Sequence, residues 1–542
     1  MNASDEPLLR LENVSLSIHG DPILHNISLM LERGRTLGII GESGSGKSMT
    51  ALSIMQLLPR GSELTGDVRF AGQSLSGLSE AALCELRGSD IGMVFQEPMT
   101  ALNPVKSIGD QVSESVHLHR RVSIAEARTI ARKTLERVGL SNSEFPLSRY
   151  PHELSGGQRQ RVVIAIAVAC QPKLLIADEP STALDVTTQA SILELLRQLQ
   201  REEGLGLMLI THDLAVVSNM ADDIVVMNKG AIVEQGDMAQ VFKSPDHDYT
   251  RMLFAASALT QVQRVPHARV KERSTRCLLS VKNLVCEYPI PRKGLFGSAG
   301  SFRAVDDISF DIHEGESVGL VGESGCGKST LTRALLGLMP LHSGSIELAG
   351  ESVSTMQQVS QTARRMMQVV FQDPYGSFNP RHKVERLISE PLHVMEEKPT
   401  AREIVARVRQ VLLSVGMRAE DGDKYIHEFS GGQRQRIAIA RSLIISPGII
   451  ILDEAVSALD VSVRAQVLEL LDTLAREQGL AYLFISHDLS VVQRVTDRVL
   501  VMRAGKLIES GSTADVFTEP QHRYTKELLA AVPVLSLSES AL

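Results

Sequence analysis

The 542-residue sequence has few cysteines, no apolar run long enough to cross a bilayer and no surplus of positive charge. Each absence removes a class of function. Five cysteines, Cys84, Cys170, Cys277, Cys286 and Cys326, are odd in number, scattered and without a CxxC spacing. That pattern argues against a disulfide framework or a zinc site and for a reducing compartment. The 56 basic and 64 acidic residues leave a net charge of −8, so the electrostatic footprint of a nucleic-acid binder is missing and no nucleic acid is expected as a partner. The first residues, MNASDEPLLRLENVSL, lack a basic segment followed by an apolar run and do not read as a signal peptide. Apolar stretches such as residues 162–170 and 449–452 are too short for a membrane span, so any membrane connection is expected through a partner.

What the sequence does contain is a duplication. GESGSGKS at residues 41–48 returns as GESGCGKS at 322–329, LSGGQRQR at 154–161 as FSGGQRQR at 429–436, and THDLAVV as SHDLSVV. From Gly156 onward the offset is constant at 275 residues, pairing Asp178 with Asp453, Asp185 with Asp460, His212 with His487 and Tyr249 with Tyr524. With 43% apolar residues, the chain can bury several cores. The expected units are a first domain over residues 6–256 with a tail at about 237–256, a linker at 257–277, and a second domain over 278–533 with a tail at about 512–533. The linker gathers Arg264, Arg269, Lys271, Arg273 and Arg276 against one acid, which reads either as a solvated tether of about 25 Å or as a segment drawn to anionic lipid.

Each half alternates strand and helix. TLGII (36–40) runs into a glycine loop, SMTALSIMQLL (48–58) has helical spacing, and KLLIAD and GLMLITHD are further apolar strands, which together predict a parallel sheet flanked by helices. Between about 97 and 170, and again between about 373 and 445, the pattern turns helical and reads as an insertion.

The chemistry lies in short motifs. GxxxxGK[ST] is a phosphate loop: its backbone N–H groups close around phosphates, its lysine supplies point charge and its hydroxyl binds Mg²⁺. At average composition a chain of this length holds about 0.02 chance matches, and here there are two, each between a strand and a helix. The first comprises Gly41, Glu42, Ser43, Gly44, Ser45, Gly46, Lys47 and Ser48; the second comprises Gly322, Glu323, Ser324, Gly325, Cys326, Gly327, Lys328 and Ser329. Lys47 and Lys328 are expected on the β/γ-phosphates, and Ser48 and Ser329 on the metal. LLIADE and IIILDE end apolar strands in two acids. Asp178 and Asp453 are placed to hold Mg²⁺ through water, while Glu179 and Glu454 can orient or deprotonate the attacking water.

Phosphate loop, SGGQ and acidic pair in this order resemble the ATP-binding cassette (ABC) family of transporter ATPases, over almost the whole chain twice. The resemblance implies an α/β fold of two tandem P-loop, RecA-like ATPase domains, each with an antiparallel β subdomain and an inserted helical subdomain. It also implies two composite ATP sites, Ser155, Gly156, Gly157 and Gln158 closing over nucleotide held by the second phosphate loop and Ser430, Gly431, Gly432 and Gln433 over nucleotide held by the first. Gln96 and Gln372 look like the glutamines that approach Mg²⁺ and water. Asp185 and Asp460 look like residues linking the two sites, and His212 and His487 like switch histidines at the γ-phosphate. Tyr288 stands where the family stacks a ring on adenine, and the first half has Ile18 there.

A second departure is Ala455 where the first half has Pro180, so the two sites are expected to be competent but unequal. Cys326 is either a passive small residue or a thiol activated inside the loop. QEPMTALNP (96–104), QDPYGSFNP (372–380), the extra residues around PIPRKGLFGSAG (289–300) and the tails SPDHDYTRMLFAA and EPQHRYTKELLAAVP resemble the dipeptide, oligopeptide and nickel importer branch. The branch implies two permease subunits, an indirect periplasmic or extracellular solute-binding protein, one fused chain per transporter and a peripheral place on the cytoplasmic face of the bacterial inner membrane. The cofactors implied are ATP and Mg²⁺; cysteine positions predict no iron–sulfur cluster. The alternatives are a soluble ABC ATPase acting on ribosomes or DNA, and an importer motor for another solute such as nickel or sugar.

Overall fold

The structure, a computed structural model, describes residues 6–96, 101–182, 184–261, 276–290, 300–353, 360–372, 376–457, 459–533 and 535. The basic residues Arg264, Arg269, Lys271 and Arg273, the inner parts of the two importer-like segments after Gln96 and Gln372, and residues 291–299 lie outside the described residues. The chain divides into two compact units, with the main break between Ser257 and Ala258.

In the first unit β1 (Leu9–Ile18), β2 (Asp21–Leu31), β4 (Ser62–Phe70) and β5 (Gln73–Ser74) form an antiparallel sheet in the order β2-β1-β4-β5. A six-stranded sheet holds β3 (Thr36–Ile40), β6 (Ile91–Val94), β7 (Leu174–Asp178), β8 (Gly206–Ile210), β9 (Asp223–Asn228) and β10 (Ala231–Asp237) in the order β10-β9-β3-β8-β7-β6. It is parallel as far as β9, and only the edge strand β10 runs antiparallel. Every residue of β3, β7 and β8 is buried, as continuous apolar strands covered on both faces must be.

The second unit repeats the plan. β11 (Cys277–Ile290), β12 (Gly300–His313), β14 (Ser343–Leu348) and β15 (Glu351–Ser352) make the antiparallel sheet. β13 (Ser317–Val321), β16 (Met367–Val370), β17 (Ile449–Asp453), β18 (Ala481–Ile485), β19 (Arg498–Arg503) and β20 (Lys506–Ser512) make the mixed one.

The inserted segments are helical, with a difference. In the first half, helices Ile108–Arg120, Ile124–Arg137 and Gly156–Val168 start on the capping serines Ser107, Ser123 and Ser155, and they bury Val112, Val116, Ala127, Ala131, Leu135 and Val162 together. In the second half the first of these helices stops after Val384–Ser389 and continues as a 3₁₀ turn, Glu390–Val394. Pro391 explains the break, since it has no N–H to donate and crowds the preceding turn. The helix after the first phosphate loop is shorter than its sequence spacing predicts. It ends at Ile54, where Gln56 turns to φ 51° and the Leu57 N–H donates to the Leu52 carbonyl at 2.9 Å.

Helix Leu214–Met220 lies directly on β3: a Cβ added to Gly38 would stand 2.5 Å from Val217 Cγ1. Gly38→Val is therefore expected to lower the stability of the first unit by about 1–3 kcal/mol through overpacking. Urea unfolding followed by circular dichroism should show an early transition that the wild type lacks; an unchanged curve would mean that this contact yields freely.

Candidate functional site

Each phosphate loop leaves the carboxyl end of a buried strand. Gly41 has φ 154° and Gly322 φ 155°, and an added Cβ would come within 2.3 Å and 2.2 Å of the carbonyl oxygens of Met227 and Met502. Only glycine fits such a turn. Lys47 is buried and donates to the carbonyls of Gly41 (2.7 Å) and Glu42 (3.0 Å). Lys328 repeats this on Gly322 (2.6 Å) and Glu323 (2.9 Å). The ammonium of each loop thus rests on backbone carbonyls at the place where phosphate oxygens are expected. Cys326 is buried 3.9 Å from Lys328 Nζ, and burial pushes its thiol up against the opposing pull of that ammonium. For Cys326, desolvation opposes the loop's positive field and favours the passive reading over the activated thiol.

Parallel register brings the acids beside the loop. Asp178 pairs with Ile210 across β7 and β8, and Ile39 pairs with the same Ile210 across β3 and β8. Asp453, Ile485 and Leu320 stand in the same relation. Burial pushes the Asp178 carboxyl up against the hydrogen bond from Ser48, and one oxygen of Asp178, Oδ1, is buried without a partner. Burial and the neighbouring Glu454 charge push Asp453 up to about 6. A buried carboxylate oxygen with no donor beside a serine hydroxyl suits a divalent cation, which would lower the cost of the charge. Among the described residues no cluster of three or more His, Cys, Asp or Glu side chains forms a metal cage, so any ion here relies on Ser48, Asp178 and the nucleotide, with Ser329 and Asp453 in the second half.

The next acid behaves in the opposite way. Burial pushes Glu179 up, but His212, the Thr182 hydroxyl and Lys47 outweigh it and hold the carboxyl down at about 2. His212 Nδ1 lies 3.2 Å from Glu179 Oε1, Thr182 Oγ1 donates to Oε2 at 2.8 Å and Gln96 Nε2 to Oε2 at 3.0 Å. Glu454 is likewise held below its ordinary range despite burial, by His487, whose Nδ1 lies 3.4 Å away, and by Lys328. There the resemblance between halves stops. Ser457, at the place of Thr182, donates to the Glu454 backbone carbonyl at 2.9 Å, and Gln372 makes no matching hydrogen bond to Glu454 among the described residues. Proline is not the cause. Glu179 and Glu454 both sit at positive φ, 48° and 51°, and both donate their N–H to the neighbouring strand, at 2.8 Å and 2.9 Å, so Ala455 keeps the turn that precedes Thr182 in the first half.

SGGQ forms a capping box in each half. Ser155 accepts from the Gln158 N–H at 3.3 Å and donates its own N–H to Gln158 Oε1 at 2.9 Å; Ser430 and Gln433 do the same at 3.4 and 3.1 Å. Gly157 and Gly432 press on Thr188 and Val463, leaving no room for a side chain. Ser155, Gly156, Ser430 and Gly431 are exposed. Asp185 is buried and accepts from the Thr187 hydroxyl at 2.7 Å, and Asp460 is the cap residue of helix Val461–Gln478. Tyr288, 37% exposed, has its hydroxyl 3.4 Å from Thr330 Oγ1, immediately after the second phosphate loop. Ile18, its counterpart, is half-buried against the core instead.

Two contacts were not read from the sequence. The Glu42 N–H donates to the Tyr249 hydroxyl at 3.1 Å, and the Glu323 N–H to the Tyr524 hydroxyl at 3.0 Å. The constant spacing of these tyrosines behind the histidines was the available signal.

The ABC transporter family matches residues 24–182 and 305–457, and the oligopeptide/dipeptide transporter C-terminal region matches residues 233–276 and 508–540. The chain is 45% identical over 560 residues to a glutathione import ATP-binding protein, GsiA, of Escherichia coli, covering 97% of this chain and 90% of that one. It is 46% identical over 555 residues to the protein of that name from Salmonella choleraesuis, covering 96% and 88%. Among solved structures, an archaeal ribosome recycling factor in complex with a ribosomal stalk protein aligns with a TM-score of 0.58 at 22% identity over 89% of this chain and 86% of that one, a likeness of fold alone.

Because Asp453 has a folded-state pKa above its ordinary value, its ionisation at neutral pH costs stability, a cost that fades as pH falls through about 6. Asp453→Asn should raise the stability of the nucleotide-free protein at neutral pH by on the order of 2 kcal/mol. It should also abolish part of the thermal stabilisation by ATP with Mg²⁺. Melting curves with and without the nucleotide decide it; undiminished stabilisation would remove Asp453 from the metal site.

Proposed function

The chain belongs to the ABC transporter family, carrying the ATP-binding cassette twice with an oligopeptide/dipeptide transporter C-terminal region after each, and from this we propose that it is the ATP-hydrolysing motor of a membrane importer of short peptides or peptide-like solutes. The observation that carries the reading is full-length likeness, 45% over 97% of the chain, to proteins named for glutathione import. Glutathione is a short peptide, and two matches to the peptide-transporter region point the same way.

No described helix is long and apolar enough to cross a membrane, which supports a peripheral chain held at the cytoplasmic face of a bacterial inner membrane by two permease subunits. A solute-binding protein outside the membrane would choose the cargo. The ribosomal alternative draws no support from the recycling-factor likeness, which extends to fold only.

Within each half the roles follow from chemistry. Lys47 and Lys328 would leave their backbone carbonyls for the phosphates, and Ser48, Asp178, Ser329 and Asp453, together with Gln96 and Gln372, would hold Mg²⁺. A bound divalent ion neutralises phosphate charge. Glu179 and Glu454, kept ionised by the histidines, accept a hydrogen bond from the attacking water and aim it. Tyr288, exposed beside the second loop, offers its ring to adenine. Ser155 and Ser430 are exposed at helix N-termini, where the backbone N–H groups favour an anion such as a nucleotide phosphate.

Glu179→Gln together with Glu454→Gln is expected to lower ATP turnover about 10²–10⁴-fold and to stop uptake of radiolabelled glutathione and dipeptides in cells whose only copy of the gene is this variant. Peptide and glutathione uptake equal to wild type would refute the importer assignment. The two single variants should differ, since Glu179 has two side-chain donors that Glu454 lacks among the described residues; equal losses with equal nucleotide affinities would end the unequal-sites reading.

A further inference from the structure

In each half the tail helix returns to the phosphate loop. Helix Asp248–Gln261 carries Tyr249, buried, and helix Arg523–Ala530 carries Tyr524, 1% exposed. Their hydroxyl oxygens accept the N–H of Glu42 and of Glu323, at 3.1 and 3.0 Å. Each N–H belongs to the same peptide group as the carbonyl on which the loop lysine rests, Gly41 for Lys47 and Gly322 for Lys328. One peptide plane is therefore gripped at both ends, by the lysine at its oxygen and by the tyrosine at its nitrogen.

The grip matters because of what precedes the peptide. Gly41 and Gly322, at φ near 155°, have no side chain to restrain this plane. When the lysine leaves its carbonyl for a phosphate, the tyrosine still holds the plane at its nitrogen. The tails are themselves tied down for that task. Glu234 accepts the N–H groups of Asp246 (2.8 Å) and His247 (3.1 Å), and Glu509 those of Gln521 (2.7 Å) and His522 (3.0 Å). His247 and His522 then accept the N–H of Tyr249 and Tyr524 at 3.1 and 3.0 Å. In the second half the Arg503 guanidinium also lies 4.6 Å over the Tyr524 ring.

We propose that Tyr249 and Tyr524 are positioning residues of the two ATP sites, holding the first peptide of each phosphate loop in its nucleotide-ready orientation while the lysine transfers from backbone to phosphate. The tail after each cassette is then part of the nucleotide site. This rests on the reading of Lys47 and Lys328 as phosphate ligands.

The test uses the full-length chain with Tyr249→Phe and Tyr524→Phe, singly and together, each removing one oxygen and leaving the ring in place. Expected is a rise of roughly three- to ten-fold in KM for ATP and in the dissociation constant of a trinitrophenyl-ATP probe, with kcat and melting temperature near wild type. Unchanged KM and probe affinity overturn the proposal. So does a loss of kcat and melting temperature without a shift in affinity, which marks the tyrosines as packing residues. The contact occurs in both halves, so a variant that fails to fold in one leaves the other to decide. Lys47→Ala with Lys328→Ala is the parallel control: full ATP turnover in that variant would overturn the lysine reading itself, whereas its loss beside unchanged phenylalanine variants would overturn the tyrosine role alone.

Discussion

Parallel register in the central sheet is the constraint on which each site depends. Strand β8 lies between β3 and β7, and Ile210 at its end is level with Ile39 on one side and Asp178 on the other. Three chain segments far apart in sequence therefore turn out of the sheet at one edge: the phosphate loop, the acidic pair and the histidine. A register slip of one residue on any of these strands would turn its end to the opposite face. Every residue in these strands is buried, so a slip would draw the charged residues that precede them, Arg35 before β3 and Lys173 before β7, into the apolar sheet. The same arrangement of β13, β18 and β17 repeats the site in the second half.

At that edge two adjacent carboxyls are driven apart. Asp178 and Asp453 are pushed up by burial, while Glu179 and Glu454, although burial pushes them up too, are held down by a histidine and a loop lysine. The asymmetry within each pair separates an acid whose ionisation is costly from one that a histidine and a lysine keep ionised. Strain accompanies the second: both glutamates occupy positive φ without being glycine, an arrangement that persists only where surrounding contacts enforce it. Their N–H bonds to the adjacent strand are such contacts.

Duplication has preserved this frame and relaxed its margins. Tyr288 stands beside Thr330 where Ile18 is packed inward, Ser457 turns to a carbonyl where Thr182 turns to a carboxylate, and Pro391 cuts short a helix that runs thirteen residues in the first half. Backbone geometry around the two glutamates, by contrast, is unchanged by the exchange of Pro180 for Ala455. The hydrogen bond to the sheet is present in both halves, with proline or without it.

The sequence by itself determined the duplication, the phosphate loops, the acidic pairs, the paired histidines and the α/β alternation. It could do so because each is a local device: a glycine turn, a lysine one turn later and an apolar strand ending in acids depend on neighbours within a few residues. It overstated the helix after the first loop, since apolar spacing continues past Ile54 while the backbone has already turned. Only the tertiary structure decided which donors surround each glutamate, that Cys326 is buried, and that tyrosines about 200 residues downstream close on the phosphate loops (207 residues for Tyr249 and 201 for Tyr524). A hydrogen bond across such a span leaves no periodicity and no motif. It exists because two surfaces, each folded for its own reasons, come to lie 3 Å apart at one N–H and one hydroxyl.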